Sequence, residues 1–548
     1  MASAWGALKK LEILRRFAGY WWLKRSTTPR TTEGFRVHAK IQRQLAAAKR
    51  RIERRLDKSK LGDCSRPVLA GSNIHFELAE RTRGMSYGGL GALVLLVRQL
   101  GLAEAIDRRL QLLKIHLPYH ESDHVLNLAY NALCDGTCLD DIELRRNDEV
   151  FLDALGARRI PDPTTAGDFC RRFHGPDIET LQEVFDETRR KVWTQQPAGF
   201  FAQATIDMDG TLVPTTGACK QGMDISYNGV WGFHPLVVSL AETGEVLRIV
   251  NRSGNRPSHE GAAAEADRAI ELCLAAGFER VLLRGDTDFT QTRHLDRWSD
   301  DERVRFIFGL DASGNLLTLA DDLPEKAWKP LKRPPPYHRK TRRRARPKNV
   351  KERIVRERGY KNIRLVDEWV AEFDYRPTAC KKTYRLVVIR KNLDVHEQGR
   401  LFADYRYFFY LTNDRELAKE QVVFSANDRC DQENLLAQLK GGVRALSAPV
   451  DNLTSNWAWM VMTALAWNLK AWLALSLPER AGRAGEHDRE TKRTVLRMEF
   501  KTFLNAFIRL PCQIVSTSRR IVYRLLGWNR WLETFFRLTA TVRWPLRC

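Results

Sequence analysis

Three groups of residues carry the chemistry open to this chain. The first lies in "QATIDMDGTLVPTTG", residues 203–217, where an apolar run ends in Asp207 and Asp209, two apart, followed by Gly210. Side chains two apart in extended chain point the same way, so the pair concentrates negative charge at one strand end. The second lies in "LLRGDTDF", residues 282–289, another apolar run that closes on Asp286, with Asp288 two residues on. The third is "NDRCDQENLLAQLKGG", residues 427–442, where Arg429, Glu433 and Lys440 are spaced by four and seven. At about 100° per residue these three share one stripe of a helix, and Leu435, Leu436 and Leu439 take another arc. A carboxylate flanked by two cations suits a metal site that grips a phosphate chain. The plainer alternative is an i,i+4 ion pair between Arg429 and Glu433, worth a few tenths of a kcal/mol. Paired aspartates likewise allow two chemistries: attack on a phosphoryl group, or the holding of hard divalent cations.

The elements that would position these groups follow from a change of period. Residues 75–195 carry helical periodicity, with a helix start at "PDPTTAGDF", 161–169, capped by Thr164 or Thr165. From 203 the period becomes that of strands. Residues 203–209 form the first; 234–241 and 245–251 form a hairpin about Glu242-Thr243-Gly244. An amphipathic helix over 259–276 follows, then strands at 280–284 and 304–310. A hairpin between the first and fourth strands implies a mixed α/β sheet with the first strand central. This is the ordering of a ribonuclease-H-like core, in which Asp209 and Asp286 would meet. A dehalogenase-type phosphatase, with Asp207 as nucleophile and Asp209 as acid/base, uses a parallel doubly wound sheet instead. It also needs a later G-D-x3-D, and Thr290 stands where the last aspartate should fall.

Composition points to a polyanionic partner. The 548 residues carry a formal net charge of +23 and are 43% hydrophobic, enough for a substantial core. The charge is concentrated: residues 1–60 hold 17 basic and 4 acidic side chains, residues 331–360 hold 13 and 2. Two such segments suggest two places that grip phosphates. Ten cysteines without pattern suit a reducing cytoplasm. His116, His120 and His124 lie four apart upstream of Cys134 and Cys138, but no second cysteine pair follows, and this stretch is expected to be helix, turn and helix rather than a metal site. No secretory signal is evident, since Arg15 and Arg16 interrupt the early apolar stretch. "WAWMVMTALAWNLKAWLALSL", 457–477, is broken by Asn468 and Lys470 and is expected to be a buried core helix, not a membrane span.

On these residues the chain resembles the DDE transposases of bacterial insertion sequences, and among them the DDE group 1 transposases. The likeness rests on D-x-D-G-T at 207–211, on "LLRGDTDF", and on R-x3-E-x6-K at 429–440, part of the superfamily's Y-x2-R-x3-E-x6-K. Ala426 stands where the tyrosine belongs, which leaves its role to another residue such as Phe424. "GACKQGMDISYNGVWGFHPLVVSLAETGEVLRIVNRSGN" and "QENLLAQLKGG" add to it, and it spans about residues 75–540. The resemblance implies Asp209, Asp286 and Glu433 as catalytic and metal-binding, with Asp207 as an alternative ligand. It implies two Mg²⁺ ions about 4 Å apart, with Mn²⁺ as a substitute. Its partners would be double-stranded DNA, both element ends and target, and a second copy of the chain in a synaptic homodimer, with no membrane and a bacterial cytoplasmic setting. Arg429 and Lys440 would touch phosphates near the cut. Arg342, Arg343, Arg344, Arg346 and Lys348 of the basic loop would hold the element's ends. Trp328 and Trp369 are core residues first, with stacking on an unpaired base as the alternative. A relative that binds DNA but has lost catalysis is the remaining alternative.

The expected organisation is a basic arm over 1–74, a helical DNA-binding or dimerisation region over 75–200, and the first part of the core over 201–310. A β-rich insertion with its basic loop covers 311–412. The second part of the core, with the glutamate helix, covers 413–480, and a basic helical region, opened by a polar linker at 481–492, covers 481–548.

Overall fold

The computed structural model describes residues 37–57, 74–79, 81–333, 363–395, 404–517 and 520–542. At their centre is a nine-stranded mixed sheet. Its strands in chain order are β1 (Ala204–Gly210), β2 (Leu236–Leu240), β3 (Glu245–Val250), β4 (Val281–Gly285), β5 (Val304–Leu310), β6 (Lys329–Pro330), β7 (Ile363–Tyr375), β8 (Tyr384–Val395) and β9 (Asp404–Thr412). They lie in the order β6-β7-β8-β9-β5-β4-β1-β2-β3. β1 runs antiparallel to β2, with Asp209 opposite Val237, and parallel to β4, with Asp207 opposite Arg284. β4 is parallel to β5. The five strands β3-β2-β1-β4-β5 are therefore the ribonuclease-H-like arrangement that the strand order implied. β1, β2 and β4 are buried along nearly their whole length; in β1 the apolar Ala204, Ile206 and Met208 take one face and Thr205, Asp207 and Asp209 the other.

The segment beyond β5 does not fold apart from this sheet. β9 pairs antiparallel with β5, β8 with β9 and β7 with β8, so the long insertion strands extend the core sheet on its β5 side.

Helices pack around this frame: α1 (Glu121–Leu133), α2 (Gly175–Trp193), α3 (Ala262–Ala275), α4 (Lys419–Asp428), α5 (Cys430–Ala437) and α6 (Leu453–Leu475). α3 lies against β1, β2, β3 and β4 through Ala262, Ala266, Ala269 and Cys273. These small residues let helix and sheet approach closely. α6 is buried along nearly its whole length and packs on α1, α2 and β3. It is the core helix the sequence implied, and among the described residues no helix is long and apolar enough to cross a membrane.

A buried polar network joins these elements. Glu245 at the start of β3 accepts hydrogen bonds from Arg189 Nε of α2 (3.1 Å), Trp193 Nε1 (2.9 Å) and Trp472 Nε1 of α6 (2.7 Å). A carboxylate so deep is tolerable only because its oxygens are met by a cation and by N–H donors.

Three details depart from the sequence reading. The cap at 162–165 is Asp162, which accepts the Thr165 N–H (2.9 Å) ahead of Pro163 at the first helical position. Proline there needs no N–H, and the short aspartate reaches back to one that does. The polar stretch 481–492 is no linker but part of a helix, Arg483–Arg497. Its Asp488 is fully buried between Arg480 (2.7 and 2.8 Å) and Arg537 (2.8 Å), so a charge pair takes the place of an apolar anchor. The C-terminal region also holds a hairpin, Cys512–Thr517 with Arg520–Leu525, to which Gly84–Met85 adds a third strand.

Candidate active site

The end of β1 carries two aspartates on one face, and each is answered by a different arginine. Asp207 is 1% exposed and pairs with Arg284 of β4, 6% exposed, through two parallel bonds of 2.7 and 2.8 Å. The register of β1 and β4 sets this pair, since the two residues lie directly opposite. Arg284 spends a third donor on the Ser425 carbonyl (2.7 Å), which ties the end of α4 to the sheet. Both oxygens of Asp207 are thus engaged.

Asp209, one step further along β1, faces Arg429 instead (3.2 Å). Asp286, just past β4, approaches the same guanidinium (3.7 Å). Two carboxylates from adjacent parallel strands therefore converge on one cation. Burial pushes the Asp209 carboxyl up to about 6, with Arg429 opposing the rise and Asp286 adding to it. Asp286 is raised for the same first reason, against Arg429 and with Asp288. Such carboxyls hold protons more readily than exposed ones, and a cation between them relieves their repulsion. Two glycines make room here. A Cβ on Gly210 would stand 2.9 Å from His234 Nε2, and one on Gly285 2.6 Å from the Phe289 Cβ.

Arg429 sits at a break in the helix. α4 ends at Asp428, α5 begins at Cys430, and a π-turn over Gln438–Gly442 follows. The i,i+4 pair between Arg429 and Glu433 is not formed, because the arginine is drawn to the two aspartates. Glu433 is exposed and makes no ion pair among the described residues. Among the described residues, its carboxylate does not complete a group of three with Asp209 and Asp286 within 4.8 Å. The structure gathers the two aspartates and leaves the glutamate outside, with the guanidinium filling the space between. Lys440 lies within electrostatic reach of Asp209, and burial lowers its ammonium pKa. Gln432, beside Glu433, is buried and reaches β2, donating to the Val237 carbonyl (3.2 Å) and accepting from the Ser239 hydroxyl. It holds α5 against the sheet.

The sequence matches the family described as transposase DDE domain group 1 over residues 79–541. The chain belongs to that family. Membership implies use of a divalent metal. No curated protein matches the chain. Among solved structures it resembles the cryo-EM structure of a piggyBac transposase synaptic complex with hairpin DNA, at 11% identity and a TM-score of 0.34, over 77% of this chain and 83% of that one.

Within this transposase fold the remaining candidates separate. Trp328 and Trp369 both lie against the guanidinium of Arg390, 4.5 and 4.8 Å from the ring centres, with Tyr405 at 4.8 Å. Their rings form a cage for an internal cation, which is a packing role. Arg342, Arg343, Arg344, Arg346 and Lys348 lie outside the described residues, as does most of the basic arm. In the arm's described part a helix, Ala39–Leu56, has no buried residue. Arg252, in the "NRSGN" that follows the hairpin, clamps this loop, donating to the carbonyls of His234, Pro257, Ser258 and Glu260 at 2.7–3.1 Å. Phe424, offered for the missing tyrosine, packs in a small apolar cluster with Tyr410 and Ala426. Tyr410 of β9 is the phenol in electrostatic reach of Arg429. Sequence spacing gave no route to it, because the pairing of β9 with β5 brings it there. Arg284 was missed for a similar reason: only the register of β1 and β4 reveals it as the partner of Asp207.

Proposed function

We propose that this transposase cuts DNA at the ends of an insertion sequence and joins the freed 3′-hydroxyls to target DNA. The observation that carries this is the convergence of Asp209 and Asp286 on one cation at adjacent strand ends. Hard, partly buried oxygen donors that share a positive charge fit a divalent ion. Asp209, Asp286 and Glu433 would hold two Mg²⁺, for which Mn²⁺ could substitute. Such ions, when bound, lower the pKa of the attacking hydroxyl and stabilise the leaving 3′-oxygen.

The chain's own residues do the rest. Asp209 and Asp286 release the guanidinium of Arg429, which turns to a DNA phosphate as a bidentate donor. Lys440, half-buried beside Asp209, adds a point charge to the same phosphate chain. Glu433, unpaired on α5, turns inward to complete the carboxylate set. Gln432 and Arg284 fix α5 and α4 so that this exchange happens in place. Two such sites in a homodimer would serve two element ends, with the basic segments holding DNA in a bacterial cytoplasm.

The test is cleavage of labelled DNA bearing the element's terminal repeats, with Mg²⁺, by the full chain and by D209N, D286N and E433Q. Cleavage is expected to be lost in all three variants. Retained cleavage in any one removes that residue from the catalytic set. Absence of cleavage by the wild-type chain overturns the function itself.

A further inference from the structure

We propose a second metal site, for Zn²⁺, formed by His116, His120 and Glu121 at the start of α1. It lies in the helical region before the core and does not depend on the function proposed above. Glu121 is fully buried. One of its oxygens, Oε1, accepts the backbone N–H groups of Leu112 and Leu113, both at 3.0 Å. The other, Oε2, is buried and has no hydrogen-bond partner. It lies 3.2 Å from His116 Nε2. The imidazoles of His116 and His120 stack with ring centres 4.6 Å apart and planes 19° apart. One ligand atom from each of the three residues lies within 4.8 Å of the other two, and among the described residues this is the group of three that does so.

An ion pair between His116 and Glu121 explains less of this. It leaves Oε2 without a hydrogen bond, gives His120 no part, and places a second ring against a charged one. A metal uses all three. Tetrahedral zinc with bonds of about 2.0–2.1 Å sets neighbouring ligand atoms about 3.3 Å apart, close to the 3.2 Å between Nε2 and Oε2. Two imidazoles and a carboxylate are a zinc-type donor set. The outer contacts are also in place: the second oxygen of the ligating carboxylate is held by two amides. The backbone N–H of His120 is tied to Asp123 (2.9 Å), and the Tyr119 hydroxyl to the Ile160 carbonyl (2.8 Å). A helix N-terminus disfavours a cation. Asp123 in the same first turn and Asp107, which accepts from Ser122 at 2.8 and 2.9 Å, offset that field. The ion would staple the 110–120 segment to α1, which packs on α6. With three protein ligands, the fourth position falls to water.

The test uses the full-length protein, stripped by chelator and titrated with Zn²⁺ in excess Mg²⁺ against a chromophoric competitor. Wild type is expected to bind one equivalent that H116A and H120A bind on the order of 100-fold more weakly. D209N and D286N should keep it. Both histidine rings are exposed, so circular dichroism of the two variants should match wild type, and Zn²⁺ should raise the melting temperature of wild type but of neither histidine variant. Equal zinc stoichiometry and affinity in wild type, H116A and H120A would overturn the proposal. So would Co²⁺-loaded wild type without tetrahedral visible absorption.

Discussion

Asp207 and Asp209 are two residues apart and face the same way, so the sharpest perturbation separates their roles. Asp207→Asn keeps the shape and removes the charge opposite Arg284. Both partners are buried, so the guanidinium is left uncompensated, which costs about 3–5 kcal/mol. Replacing both, with Asp207→Leu and Arg284→Met, removes the two charges together, a change that is often near neutral. One loss remains. The Ser425 carbonyl forfeits the 2.7 Å bond from Arg284, worth about 1–3 kcal/mol. The double variant is therefore expected to be more stable than Asp207→Asn by about 2 kcal/mol. Urea unfolding followed by tryptophan fluorescence reads the stability, and Mg²⁺-dependent DNA cleavage at a permissive temperature reads the function. The double variant should keep measurable cleavage, reduced only by the lost tie to Ser425, because neither oxygen of Asp207 is available to a metal. An Asp207→Asn protein as stable as wild type but unable to cleave would refute the reasoning and make Asp207 a ligand.

Two further outcomes follow from buried charge. Lys470 of α6 is lowered to about 7 by burial, with its ammonium on the Leu496 carbonyl (2.7 Å). Its unfolded pKa is higher, so between pH 7 and about 10 the unfolded chain binds the extra proton, and stability should rise with pH by up to about 1.4 kcal/mol per unit; urea unfolding of wild type against Lys470→Met at pH 7 and 9 checks it, and parallel curves would contradict it. Arg429 competes with a metal for Asp209 and Asp286, so Arg429→Ala should bind Mn²⁺ about tenfold more tightly without DNA, while wild-type affinity should fall as pH drops through about 6 and Asp209 takes up a proton; calorimetric titration at pH 5.5 and 7.5 reads both, and an affinity unchanged by either would count against the shared cation position.

The sheet was legible because its signals are local. Apolar runs, the tight turn at Glu242-Thr243-Gly244 and the amphipathic period of 259–276 each lie within about 20 residues. Their order then left one arrangement in which two aspartates meet. Partners set by register were not legible: Arg284 faces Asp207 because β1 and β4 pair in parallel, 77 residues apart. The helix carrying Glu433 was read as one regular stripe, but a break at Arg429 and a π-turn at 438–442 shift its phase. Nothing in the residue types marks the break at Arg429, whereas Gly441 and Gly442 lie within the π-turn. The polar stretch 481–492 misled because burial there rests on Asp488 and two arginines, and periodicity methods count only apolar anchors.

Why Asp209, and not its neighbour, should exchange partners follows from where the two arginines are mounted. Arg284 stands on β4, inside the sheet, between strands paired on both sides. Its guanidinium cannot leave Asp207 without abandoning Ser425 as well. Arg429 stands at the junction of α4 and α5, where the helix is already interrupted, and holds Asp209 by one bond of 3.2 Å and Asp286 at 3.7 Å. Its side chain is 18% exposed, so solvent and phosphate can reach it. An arginine placed there neutralises two raised carboxyls, and on the proposed function a DNA phosphate would draw it off. On the function proposed above, the same guanidinium would serve as counter-ion in the resting protein and as anchor in the bound one, with Asp207 and Arg284 as the fixed pair beside it.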